Sequence, residues 1–141
     1  MTIEEIKATL KKYRFVAGEI SDLLDERIRL RSLAEKVTPS LSFAPVHGGD
    51  GDKLTGAVSS LVELDRHIEK RSKELLAARL EAERLIDKLP DERHRAVLKS
   101  YYFSHRTWEE CCVAVGYSWQ YMHEIHSKAL QKLKEQIESE Y

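Results

Sequence analysis

Cysteine is nearly absent from this 141-residue sequence, and the two present, Cys111 and Cys112, are neighbours. Adjacent cysteines do not staple a small secreted fold, so a reducing compartment is expected. Breakers are also scarce: three prolines and six glycines, with Pro39, Pro45, Gly48, Gly49 and Gly51 gathered in one stretch. No run approaches the roughly 18–20 consecutive apolar residues that a membrane helix needs, so no membrane partner is expected. Met1 leads straight into a charged periodic segment rather than an apolar leader, which points to the cytoplasm. The formal net charge is only −1, which excludes a chain basic along its whole length. There is no glycine-rich phosphate loop, activated nucleophile set or isolated carboxylate pair, so neither enzyme activity nor a cofactor is expected. Structural zinc usually needs two cysteines two to four residues apart, whereas adjacent ones on a helix diverge by about 100°. Cys111–Cys112 with His123 and His126 therefore does not read as a metal site.

What is present is charge and helical periodicity. One third of the residues are charged and 42% are hydrophobic, too many for a disordered chain. The near-neutral total averages unlike blocks. Residues 1–37 carry +1, 38–51 carry −1, 52–89 are neutral, 90–134 carry +2 with four of the six histidines, and 135–141 carry −3.

Apolar or semi-apolar residues recur at Ile3, Ile6, Leu10, Tyr13, Ala17, Ile20 and Leu24, a heptad-like seam that predicts one helix from about Ile3 to Val37. Thr2 and Glu5 fit a capping box. Arg27 and Arg31 fall on the continued register. Pro39 should end the helix. Residues 38–53 then read as a loop, packed in part through Leu41, Phe43 and Val46. A second helix, about Asp52 to Leu89, carries a cleaner seam: Leu54, Ala57, Leu61, Leu64, Ile68, Leu75, Ala78, Ala82, Leu85 and Leu89, broken only by Arg71. Two such helices with a connection of this length suit an antiparallel coiled-coil hairpin over residues 1–89. A hairpin buries little by itself, so a homodimer through the long helices is expected.

After Pro90 the pattern shortens. One helix is expected from Asp91 to about Phe103, and Ser104–His105–Arg106 reads as a tight connection. Thr107 with Glu110 makes a second capping box for a helix reaching about Val115. Gly116 sits where a left-handed residue ends a helix. Ser118 caps a last helix running to about Ile137, with Met122, Ile125, Ala129, Leu130 and Leu133 as its buried stripe. Residues 138–141 read as an acidic tail. The fold class is therefore all-α. A short helix, a glycine turn and a capped helix make a helix–turn–helix within residues 90–137, packed through Cys112, Ala114 and Val115 against Met122 and Ile125.

Residues 89–133 resemble region 4 of sigma-70-type transcription initiation factors. Leu89–Pro90, Thr107, Glu110, Gly116, Ser118, Ile125, Lys128, Ala129, Leu130, Lys132 and Leu133 fall in register with that pattern. Nearly the whole chain also resembles a small group of sigma-factor-like phage and prophage proteins of Gram-positive bacteria, near the ArpU- and RinA-type late-gene regulators. The resemblance implies a DNA-binding transcription regulator with double-stranded DNA as partner. It places Arg106, Thr107, Ser118, Trp119, Gln120, Tyr121, His123, Glu124 and Lys128 at the DNA, with Lys132 and Lys134 as further phosphate contacts. The first turn of the last helix departs from the sigma pattern, with Trp, Gln and Tyr where arginine is common. Glutamine can read adenine bidentately and an aromatic can touch a thymine methyl.

Two other readings fit the same residues. Sigma region 4 also docks on RNA polymerase, so the chain could bind the host polymerase without autonomous DNA affinity. Small terminase subunits join a helix–turn–helix to long helices too, although they usually place the DNA module first.

Overall fold

The computed structural model describes residues 1–43, 48–104 and 106–140, and their side chains outside 37–52. Among the described residues there are five helices and no strand: α1 (Ile3–Phe43), α2 (Gly48–Ile86), α3 (Glu92–Tyr102), α4 (Trp108–Val115) and α5 (Trp119–Ser139). The protein is all-α. Among these residues no helix is long and apolar enough to cross a membrane.

The helix starts follow the sequence signals. The Thr2 hydroxyl accepts from the Glu5 amide and the Glu5 carboxylate from the Thr2 amide, both at 3.1 Å. Asp91 caps α3 by accepting from the Arg93 amide at 2.8 Å. The Arg93 side chain, and then its amide, hold the Asp91 carboxyl below its ordinary range.

Two ends differ from expectation. Helix α1 passes Pro39 and reaches Phe43, because a proline deletes one donor, a cost of about 3 kcal/mol that the flanking turns of a long helix can absorb. Helix α2 begins at Gly48 rather than Asp52. Of the loop expected over 38–53, residues 38–43 and 48–53 are helical, while 44–47 lie outside the described residues, as does the expected packing of Leu41, Phe43 and Val46. The segment expected as a free acidic tail is also partly structured. Glu138 and Ser139 belong to α5, and Glu140 accepts from Lys88 Nζ at 2.6 Å.

The chain divides into two compact units, one of Met1–Gly18 with Glu74–Tyr141 and one of Glu19–Lys73. The boundary read from sequence at Pro90 therefore falls inside the first unit. The reason is a shared core. Ile6 and Leu10 of α1, Ala82, Leu85 and Ile86 of α2 and Leu89 after it are buried with Leu98 and Tyr102 of α3 and Ala129, Leu130, Leu133 and Ile137 of α5. Arg79 of α2 lies 3.8 Å over the Phe103 ring, and Tyr13 meets Phe103 edge-on at 5.2 Å. A second cluster packs Val97 with Cys111, Cys112, Met122 and Ile125.

Within the second unit, α1 and α2 run antiparallel. Arg27 Nε donates to Asp65 Oδ1 at 2.6 Å and Arg71 pairs with Glu19. Arg27 and Arg71, which interrupt the apolar seam, are thus tied across the helix pair, whereas Arg31 pairs with Glu35 of its own helix at 3.6 Å. Ile20 is buried as its seam predicts, whereas Leu24 on the same seam is 45% exposed. Leu24, Ile28, Leu33, Val58 and Val62 leave considerable apolar surface uncovered on this unit.

Candidate nucleic-acid interface

The α4–α5 connection is built from local signals. The Thr107 hydroxyl accepts from the Glu110 amide at 3.2 Å and the Glu110 carboxylate from the Thr107 amide at 3.3 Å. Gly116 closes α4 with φ +77°, and its amide donates to Cys112 O at 2.9 Å. A left-handed residue of this kind costs an L side chain roughly 1 kcal/mol, which glycine avoids. Two residues on, the Ser118 hydroxyl accepts from the Tyr121 amide at 3.1 Å and opens α5.

Beneath this turn Cys111, Cys112, Met122 and Ile125 are buried. The Cys111 thiol donates to Ser100 O at 3.4 Å, and burial pushes the Cys112 thiol up. Ala114, expected in this packing, is exposed instead, and Val115 packs only partly. On an eight-residue helix the faces are narrow, and Cys111 and Cys112 take the inward one.

The opposite face of α5 is open. Trp119, Gln120, His123, Glu124, Ser127 and Lys128 are exposed along its first two and a half turns, while Met122, Ile125 and Ala129 anchor the helix below. Three aromatic rings adjoin there. Trp108 stacks on His123 with centroids 4.2 Å apart, and Trp119 meets His123 at 4.0 Å. Lys128 Nζ donates to Glu124 Oε1 at 2.9 Å, and that contact holds the Glu124 carboxyl below its ordinary range. Lys132 and Lys134 pair with Glu135 and Glu138, each at 3.8 Å.

Not every expected residue faces the same way. Tyr121 is half-buried, edge-on to Tyr117 at 4.8 Å, and its hydroxyl accepts from Arg93 Nη1 at 2.9 Å. Arg106 is exposed, and its carbonyl accepts from Arg14 Nη2 of α1 at 2.8 Å. Arg14 also lies 4.3 Å over the Tyr101 ring, so α1 fixes the approach to α4. His105, expected in that connection, lies outside the described residues. Thr107 and Ser118 spend one lone pair each on capping and keep a hydroxyl proton to donate.

Sequence reasoning missed several neighbours of this surface. Lys7 and Lys11 of α1 border a cleft with His123, His126 and Ser127 of α5. Arg93 of α3 reaches Tyr121. Their contribution depends on which helices pack together, and the local pattern carries no sign of it. His126 is tied to the Tyr102 hydroxyl at 2.9 Å. Burial, then the charges of Lys7, His123 and Lys11, push the His126 imidazole down to about 4, so it is neutral near pH 7. Burial pushes the Tyr102 phenol up, and it stays neutral as well. No group of three His, Cys, Asp or Glu with metal-binding geometry occurs among the described residues.

The family model described as "Protein of unknown function (DUF1492)" matches residues 36–134, most of the chain. No curated protein and no solved structure matches it.

Proposed function

This chain belongs to the DUF1492 family, and we propose that it is a DNA-binding transcription regulator in which α4, the Gly116 turn and α5 act as a helix–turn–helix. In this reading α5 enters the major groove and the hydroxyls of Thr107 and Ser118 donate to flanking phosphates. The observation that carries it is the two-faced α5. One side is locked into the core by Met122, Ile125 and Ala129, and the other offers Trp119, Gln120, His123, Glu124 and Lys128 to solvent. Gln120 is the base reader and Lys128 a phosphate contact. Tyr121 supports Arg93 and the turn. The sequence resemblance to sigma region 4 supports a role in phage-type transcription control.

The same reading includes self-association. The exposed Leu24, Ile28, Val58 and Val62 of the second unit favour a homodimer, which would present two copies of α5 to two half-sites.

The test is selection of bound duplexes from a random-sequence pool, followed by quantitative binding to the enriched site. Gln120→Ala should relax preference at one base position, costing about 1–3 kcal/mol there. Lys128→Ala should weaken all duplexes similarly and reduce the salt slope by about 0.9. A pool that shows no enrichment and no retained duplex at low salt would end this reading.

Docking on RNA polymerase is the second reading. It is favoured by Val113, 84% exposed on α4, and by the exposed Trp119. Co-purification with polymerase that is lost on Val113→Asp, in a protein with no duplex affinity, would select it.

A further inference from the structure

The cleft beside α5 has a composition that the helix–turn–helix reading does not use. It encloses about 280 Å³ between α1, α3, α4 and α5, all within the first compact unit. Lys7 and Lys11 enter from α1, His123, His126 and Ser127 from α5, and Trp108 from α4. Among the described residues no carboxylate lines it.

The donors there are largely unspent. Lys11 has no ion-pair or hydrogen-bond partner among the described residues, and Lys7 reaches only Glu4 at the long distance of 3.9 Å. The indole nitrogen of Trp108 is buried and lacks a hydrogen-bond acceptor. A buried donor left without an acceptor is costly unless something supplies one. The two ammonium groups give the cleft a positive field, and the described lining holds no carboxylate to offset it. The volume suits one phosphate with its adjoining sugar and falls short of the roughly 300–1,000 Å³ of a drug-sized ligand pocket. Its position also matters. His123 and Ser127 belong both to the cleft wall and to the open face of α5. A ligand held by Lys7 and Lys11 therefore lies alongside whatever α5 binds.

We propose that this cleft is a phosphate site that seats a DNA backbone phosphate beside the groove entered by α5, with Lys7 and Lys11 as its charged contacts, Ser127 as a neutral donor and Trp108 as part of its wall. The proposal rests on the DNA-binding reading above and extends it: the first helix of the chain, remote in sequence from α4 and α5, contributes to the interface. Because the site holds a phosphate and no base, it adds affinity without sequence preference.

The test uses the full chain and two probes. The first is a mixed-sequence duplex, with log K followed against log salt for wild type, Lys7→Ala/Lys11→Ala, Lys7→Arg/Lys11→Arg and, as a control, Lys12→Ala, which lies outside the cleft. The expected result is a slope reduced by about 1–2 in the double alanine variant and kept in the double arginine variant. A wild type that binds duplex and a double alanine variant with the same slope would overturn the proposal while leaving the DNA reading intact. The second probe is inorganic phosphate, titrated into Trp119→Phe, where Trp108 is the sole indole. If wild type binds no duplex, the DNA reading fails and this titration decides the site. A saturable change in Trp108 emission, abolished by Lys7→Ala/Lys11→Ala, sustains a phosphate site filled by free phosphate. An unchanged emission removes it.

Discussion

Acid should destabilise the first unit through His126, and the size of the effect follows from its surroundings. The ring contacts Tyr102, stands edge-on to Tyr101 and Trp108, and faces Lys7, Lys11 and His123. Folding lowers its pKa from 6.5 to about 4, with burial as the largest cause. The unfolded chain therefore binds a proton between pH 6.5 and 4 that the folded chain refuses. Stability from this residue is fully present above pH 6.5 and is lost as the pH falls through that window. The unscreened shift corresponds to about 3 kcal/mol. The ring borders an open cleft, and solvent screening of the lysine charges brings the expected loss to about 1–2 kcal/mol. Urea unfolding at pH 7 and pH 4.5, with the slope m held constant, reads this directly. Carboxylates also protonate in the window, so the comparison is with His126→Gln, which does not titrate. Wild type should lose about 1–2 kcal/mol more than the variant between the two pH values. Parallel losses would refute the assignment of a neutral, desolvated His126.

Other outcomes follow from the packing. Leu98→Ala and Leu133→Ala, both fully buried in the larger core cluster, should each cost about 2–5 kcal/mol in denaturant unfolding. Gly116→Ala should cost about 1 kcal/mol from backbone strain alone, because an added Cβ meets no atom within 4 Å. Thr107→Ala should cost about 1 kcal/mol by opening the capping box of α4, read by the same assay. A fragment of residues 90–137 should melt without a cooperative transition. It lacks Ile6, Leu10, Ala82, Leu85, Ile86 and Leu89, so Leu98, Leu130 and Leu133 lose their cover; a sharp calorimetric peak from the fragment would contradict the shared core.

What the sequence reveals and what it conceals divide along range. Thr107 with Glu110, Gly116 and Ser118 place α4 and α5 correctly because a cap is decided within four residues. The α2 seam from Leu54 to Leu85 is legible for a similar reason: one face repeats over many turns. The end of α1 is not legible in the sequence, because Pro39 is a local signal that a long helix overrides. The α1 seam is legible as far as Ile20 and fails at Leu24, where charged pairs such as Arg27–Asp65 join the helices. The candidate surface is half legible. Trp119, Gln120, His123, Glu124 and Lys128, named through the resemblance to sigma region 4, share the exposed side of α5. The inward turn of Tyr121 depends on Arg93 and Tyr117, and the arrival of Lys7 and Lys11 depends on α1 packing against α5. Neither is written in the neighbouring residues.

The discontinuity of the first unit has a consequence for the order of events during synthesis. Its core joins Ile6 and Leu10 to Leu130, Leu133 and Ile137, so these two residues find those partners only after residues 130–137 have left the ribosome. The second unit, Glu19–Lys73, is contiguous and is complete far earlier. The helix pair should therefore form while translation continues, tethering an amphipathic N-terminal segment whose apolar side stays unsatisfied until α5 emerges. During that interval Ile3, Ile6 and Leu10 are expected to lack their native cover, and docking over so long a separation is expected to slow folding.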